Sequence, residues 1–267
     1  MDVARIFRGS QRVDSIDPAD RGLAYGDGLF ETMRVHRGDI PWLDAHLQRL
    51  QRGTQRLVID LPGEALLRAE IAAMCAGQDS AVLKLIVTRG AGGRGYAPPV
   101  HLEPTWILSL HDAPALMPAI DIVWCQTTLA DQPALAGIKH CNRLEQVLAR
   151  REVVAVNADE GLMRDASGNV IAATSANLFV HDGDGWCTPK VDRSGVAGIC
   201  RDWLLRHAQV RETVLDRDAV ERSSAIFLCN AVRGILPVRR LDAREWPASE
   251  DVRELQRQLA DAHPGLA

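Results

Sequence analysis

Of the 31 basic residues in the chain, only Lys84, Lys139 and Lys190 are lysines. Chemistry that needs an amine nucleophile therefore has three candidates. Lys139 follows a Gly-Ile step and precedes a helix-like run, within LAGIKHCNRLE (135–145). A lysine at a strand-to-helix junction can be partly buried; burial disfavours the ammonium form and leaves a nucleophilic amine. An exposed loop lysine would show the same local pattern. Lys84 sits within an alternating strand and Lys190 follows Pro189, so both read as structural.

A second group of residues could hold anions. RGAGGRGY (89–96) combines Arg89, Arg94 and Tyr96 with glycines that let backbone approach a ligand. Its arginines could grip carboxylate or phosphate in bidentate fashion. The loop lacks the Gly-Lys-Ser/Thr ending of a phosphate-binding P-loop and the Rossmann spacing, and a flexible surface loop remains open. SGVAG (194–198) precedes a predicted helix and CNAVR (229–233) follows a strand. Both could turn backbone N–H groups toward an anion. Arg49 lies on a predicted helix one turn after His46, where a solvated arginine is the plain alternative.

Hydrophobic periodicity outlines the elements that must carry these residues. Val3–Phe7 with Gly9-Ser10 reads as a hairpin, 21–28 as a glycine-punctuated loop, and 29–35, 81–88 and 105–110 as strands. Leu43, Leu47, Leu50 and Leu57 mark one helix and 64–76 another. Two prolines and no periodicity make 111–119 a linker. A strand over 120–126 opens the second half, and a helix over 142–154 has Asn142 as its expected N-cap. Short strands follow at 161–164, 170–173, 177–181 and 185–188, then a helix from about 196 to 207. Strands over 225–229 and 235–240 and a helix over 249–262 complete the reading. Strands and helices mix without strict alternation. The expected fold is α/β with mixed sheets in two domains: 1–110, and 120–267 carrying Lys139.

Composition narrows the function. The chain of 267 residues is 46% hydrophobic and 25% charged, with a formal net charge of −4. No basic face is visible, so nucleic acid is not an expected partner. The six cysteines have no C-x-x-C spacing, so neither a metal site nor a disulfide framework is expected; they read as reduced thiols of a cytoplasmic protein. No signal-peptide core and no membrane-spanning apolar run is seen.

Taken together and in order, these segments resemble the 4-amino-4-deoxychorismate lyases, members of the fold-type-IV class of pyridoxal-phosphate enzymes that also includes branched-chain and D-amino-acid aminotransferases. The resemblance runs from about Asp20 to Arg233. It rests on DRGLAYGDGLFET (20–32), AHLQRL (45–50), TRGAGGRGY (88–96), GIKHCNRLEQV (137–147), NADE (157–160), SANLF (175–179) and GVAGI (195–199). It implies a two-domain, D-amino-acid-aminotransferase-like fold, a homodimer, and a folate-pathway reaction that gives 4-aminobenzoate and pyruvate. It further implies that Lys139 carries pyridoxal 5'-phosphate and serves as general base. Arg49 would pair with the cofactor phosphate, helped by backbone amides of Val196, Ala197, Asn230 and Ala231. The small dicarboxylate substrate would meet Arg94 first, then Arg89, with Tyr96 nearby.

One position departs from the class. Where members commonly place a glutamate against the pyridine nitrogen, this chain has Ala172, which can neither accept a hydrogen bond nor carry charge. Glu160 and Asp165 are the nearest acids, and Thr174 could offer a neutral partner. Two rival functions follow: an aminotransferase using the same lysine, and a non-catalytic cofactor-binding relative.

Overall fold

The computed structural model describes residues 4–100 and 102–266. Val3, which opens the expected first strand, lies outside the described residues. The chain divides into two compact units: one up to Ala113 together with Ile138–Asn142, the other Pro114–Gly137 with Arg143 onward.

The first unit contains β1 (Ala4–Arg8), β2 (Gln11–Val13), α1 (Arg21–Tyr25), β3 (Gly28–His36), α2 (Leu43–Leu57), α3 (Glu64–Cys75), β4 (Ser80–Thr88) and β5 (Thr105–Asp112). The strands form one antiparallel sheet in the order β2-β1-β5-β4-β3. β5 runs two residues past its expected end, into the stretch expected as linker. The 21–28 stretch is not wholly loop. Asp20 accepts from Gly22 N at 2.8 Å and starts α1, and Gly26, at φ 66°, ends it. β3 alternates as expected of a strand with one core face: Leu29, Glu31, Met33 and Val35 are buried.

The second unit contains β6 (Ile120–Trp124), α4 (Leu144–Ala155), β7 (Glu160–Arg164), β8 (Val170–Ala173), β9 (Asn177–His181), β10 (Trp186–Pro189), α5 (Ile199–His207), β11 (Val210–Thr213), α6 (Arg217–Arg222), β12 (Ala225–Asn230), β13 (Gly234–Leu241), β14 (Arg244–Glu245) and α7 (Glu250–Ala262). Its mixed sheet follows the order β11-β10-β9-β12-β13-β6-β7-β8, with β14 on β13. The sheet curls far enough for β8 to meet the chain just past β11, where Val170 N donates to Leu215 O at 2.7 Å. Its core includes Ile122, Leu162, Leu178, Val180, Leu228 and Leu236.

The expected cap of α4 is corrected. Arg143 holds the N-cap position, while the Asn142 amide donates to Gly26 O at 3.2 Å within the first unit. α5 likewise begins at Ile199, leaving 194–198 as loop. β11 and α6 escape a periodicity reading because each is short and, of their residues, only Val220 is buried.

Candidate active site

In the first unit the lysine segment runs beside β3. Phe30 N donates to Lys139 O at 2.9 Å and Cys141 N donates to Gly28 O at 2.8 Å. Lys139 is therefore held by backbone pairing to a strand edge rather than at the end of a strand. It is half-buried, its Nζ 4.3 Å from the centroid of the Phe30 ring. Lys84 approaches the same ring at 5.5 Å, while Lys190 is exposed in the second unit.

Phe30 has a buried neighbour that carries charge. Glu31 projects from the core face of β3 and is 1% exposed. The Arg49 guanidinium meets it with Nε on Oε1 at 2.8 Å and with Nη2 on Oε2. His46 Nδ1 donates to Oε2 at 2.7 Å. Both partners lie one turn apart on the buried face of α2. Burial alone would raise the Glu31 carboxyl; the Arg49 charge and hydrogen bonds, with His46, overcome this and hold it down to about 2. Burial keeps His46 below its ordinary value despite Glu31. Arg49 is thus a buried partner of a carboxylate, not a solvated side chain. Glu31 is not among the expected site residues, although a glutamate in phase with Leu29, Met33 and Val35 is visible in the sequence as a charge on a core face.

The arginine loop divides in role. Arg89 spends four of its five N–H groups on Asp27, Leu57 O and Val58 O, at 2.5–3.0 Å. Arg21, which the sequence reading passed over, donates to Asp27 and to the carbonyls of Gly95 and Tyr96 at 2.7–3.0 Å. Arg94 and Tyr96 are exposed, the Tyr96 ring 5.6 Å from that of Tyr25. Two anchored arginines thus hold a loop that presents a third.

In the second unit, Gly137 pairs with the 195–197 loop: Gly137 N donates to Gly195 O and Ala197 N donates to Gly137 O, both at 3.0 Å. The Ala197 amide therefore already has a partner. Among the described residues the Val196 N–H has none, and the buried Ser194 Oγ also lacks one. Asn177 Nδ2 fixes the loop on Val196 O at 2.9 Å. Gly198 closes it tightly enough that an added Cβ would overlap Asn177 Oδ1. Gly198→Ala is accordingly expected to displace Asn177 and weaken binding of a phosphate ligand by about tenfold or more, roughly one charge-assisted hydrogen bond. Calorimetric titration with pyridoxal phosphate checks this. Asn230 turns its side chain inward, its Oδ1 accepting from the backbone of Val232 and Arg233 at 3.0 and 2.9 Å. Ala231 follows it in the same turn.

Ala172 lies in an apolar cluster with Cys125, Leu129, Ala149, Val153 and Met163. Asp165 serves a turn, accepting from the backbone of Ser167 and Asn169 at 2.9 Å. Glu160 is buried and accepts from the hydroxyls of Thr174 and Ser175, the latter at 2.5 Å. Thr174 is therefore backed by an acid, a link that β7–β8 pairing creates across fourteen positions of sequence.

The first unit offers an amine over Phe30 and, on the core face of the same strand, a carboxylate paired with a buried arginine; these residue types suit an anionic, aldehyde-bearing ligand such as pyridoxal phosphate. The 194–198 loop of the second unit separately offers an amide and a hydroxyl that have no partner among the described residues.

A 4-amino-4-deoxychorismate lyase from Pseudomonas aeruginosa has a solved structure that superposes with a TM-score of 0.89 at 42% identity, covering 96% of this chain and 98% of that one. An aminodeoxychorismate lyase from Vibrio harveyi is 32% identical over 250 residues, 90% of this chain and 92% of the relative. The Escherichia coli branched-chain amino acid aminotransferase shares the fold, with a TM-score of 0.85 at 21% identity over 96% of this chain and 93% of its own. Residues 28–241 match the family model described as amino-transferase class IV. The chain belongs to the amino-transferase class IV family.

Proposed function

We infer that the chain is a pyridoxal-phosphate-dependent lyase that converts 4-amino-4-deoxychorismate into 4-aminobenzoate and pyruvate. The observation that carries this reading is Lys139, held along β3 with its amine over Phe30, on the strand that also carries Glu31 of the buried Glu31–Arg49–His46 group, in a chain 42% identical to a lyase over nearly its whole length. The cofactor, when bound, supplies an electron sink. Lys139 would hold it covalently and, once released by the substrate amine, would take the proton from C4 of the ring. The bond between the ring and the enolpyruvyl oxygen would then break, aromatisation driving the step, and the enolpyruvate released would take up one proton at its methylene carbon, balancing the one lost from C4, to become pyruvate. Arg49 and the backbone of Val196, Ala197, Asn230 and Ala231 are assigned to the phosphate. For Ala197 this requires its N–H to be shared with Gly137 O.

The substrate carries two carboxylates. Arg94 is assigned to one of them; Arg89, with one N–H remaining, is second, and Tyr96 is a neighbouring donor. Arg94→Ala is expected to raise KM by about tenfold or more, the scale of one charge-assisted contact. The visible absorbance of the cofactor-loaded protein should not change. Loss of cofactor in this variant would move Arg94 to the phosphate.

The protein is assigned to the cytoplasm as a homodimer. Ala172 bears on the aminotransferase alternative. Without a carboxylate at that position, we assign only a weak electron sink, sufficient for elimination because electrons depart with pyruvate. Supplying D-alanine or L-leucine with 2-oxoglutarate should give far less product than 4-amino-4-deoxychorismate gives. The reverse ranking would make the chain an aminotransferase.

A further inference from the structure

Glu31 bridges two groups that can both be cations: a guanidinium that is always charged, and an imidazole that burial biases toward its neutral form. Its carboxylate takes two hydrogen bonds from Arg49 and one from His46 Nδ1. The Arg49–Glu31 pair carries no net charge, so it offers a doubly charged phosphate little beyond hydrogen bonds. His46 is fully buried, and its Nε2 has no hydrogen-bond partner among the described residues. An imidazole whose Nδ1–H is fixed on a carboxylate has one titratable position left, and here that position is open. We propose that His46 takes up a proton at Nε2 when the cofactor phosphate binds, so that Glu31 joins two cations, Arg49 and an imidazolium, into a positively charged receptor. This rests on the cofactor reading above.

The charged groups acting on His46 are Glu31 from β3, Arg49 from its own helix, and Lys139 from the 138–142 segment. Burial leads in keeping the ring neutral, and the Arg49 and Lys139 charges add to it, against the pull of Glu31. A bound phosphate adds a second anion, and this favours the imidazolium. By linkage, the cofactor then binds more tightly where the proton is available, and affinity falls as pH rises through the pKa of the loaded His46.

Nitrogen-15 NMR of histidine-labelled protein tests this directly, with the His46→Asn spectrum assigning the resonances. Asn retains a donor for Glu31 and deletes Nε2; His46→Gln assigns the signal if that variant does not fold. Spectra are taken at pH 8 without ligand, with pyridoxal phosphate, and with pyridoxal, which can condense with Lys139 but brings no phosphate. Expected are a neutral ring without ligand and with pyridoxal, and a doubly protonated ring with pyridoxal phosphate. A ring that stays neutral with pyridoxal phosphate bound overturns the proposal and leaves the cofactor reading intact. Protonation with pyridoxal as well would assign the effect to Lys139 and likewise overturn it. Failure of pyridoxal phosphate to bind at all would remove the cofactor reading underneath it.

Discussion

Lys139→Ala is expected to lose turnover by at least about 10³-fold, within the range set by removing a general base and compounded by loss of the covalent hold on the cofactor. The variant should fold, because Lys139 is half-buried and the contacts that seat its segment on β3 are backbone hydrogen bonds. Borohydride reduction of the wild-type protein loaded with cofactor, followed by peptide mapping, should place the pyridoxyl group on Lys139. Lys84 is the informative competitor, since its Nζ reaches the same Phe30 ring. An adduct on Lys84 would move the chemistry to β4.

Arg49→Ala is expected to have the second largest effect, because it damages both fold and site. Glu31 would be left as a buried carboxylate with only His46 against it. Breaking a buried pair from one side costs about 3–5 kcal/mol. That corresponds to a fall in Tm on the order of 10 °C for a chain of this size. The pH dependence carries the signature. In the wild type the Glu31 carboxyl is held at about 2 against an ordinary 4.5. Its contribution is therefore complete above about 4.5 and is lost as pH falls toward 2. In the variant, burial acts without Arg49 and raises the carboxyl, so protonation relieves the penalty and stability declines as pH rises. The deficit relative to wild type should shrink steadily on acidification from neutrality. A deficit independent of pH would mean that Arg49 contributes packing alone. Pyridoxal phosphate affinity should drop by about 10- to 100-fold, the scale of a hydrogen bond to a charged group. Arg49→Lys should recover only part of this, since an ammonium cannot reproduce the bidentate geometry.

These residues also show how far a single sequence carries the argument. The long strands β3, β4 and β5 were legible because one buried face imposes a period of two. The same periodicity, followed strictly, exposes Glu31 as a charge on a core face. Arg49 and His46 lie one turn apart on the face that Leu47 and Leu50 define. What could not be read were contacts made by pairing of distant segments. The 139–141 stretch runs beside β3, more than a hundred residues earlier, and no local pattern announces it. Asn142 looked like a helix cap because its type suits one; its side chain instead bonds Gly26. Thr174 looked like an isolated neutral residue until β8 folded back on β7 and set it on Glu160. The family resemblance ranks Arg94 ahead of Arg89 for the substrate, but nothing in the local sequence reveals that Arg89 is anchored and Arg94 exposed.

The central claim is the reaction. Its most direct measurement quantifies pyruvate and 4-aminobenzoate together when cofactor-loaded protein is mixed with 4-amino-4-deoxychorismate. The account predicts that both appear at the same rate in equal amounts, and that borohydride pretreatment of the loaded protein abolishes both. Cofactor-loaded protein that releases neither product, or that returns the substrate as a keto compound without pyruvate, would contradict it.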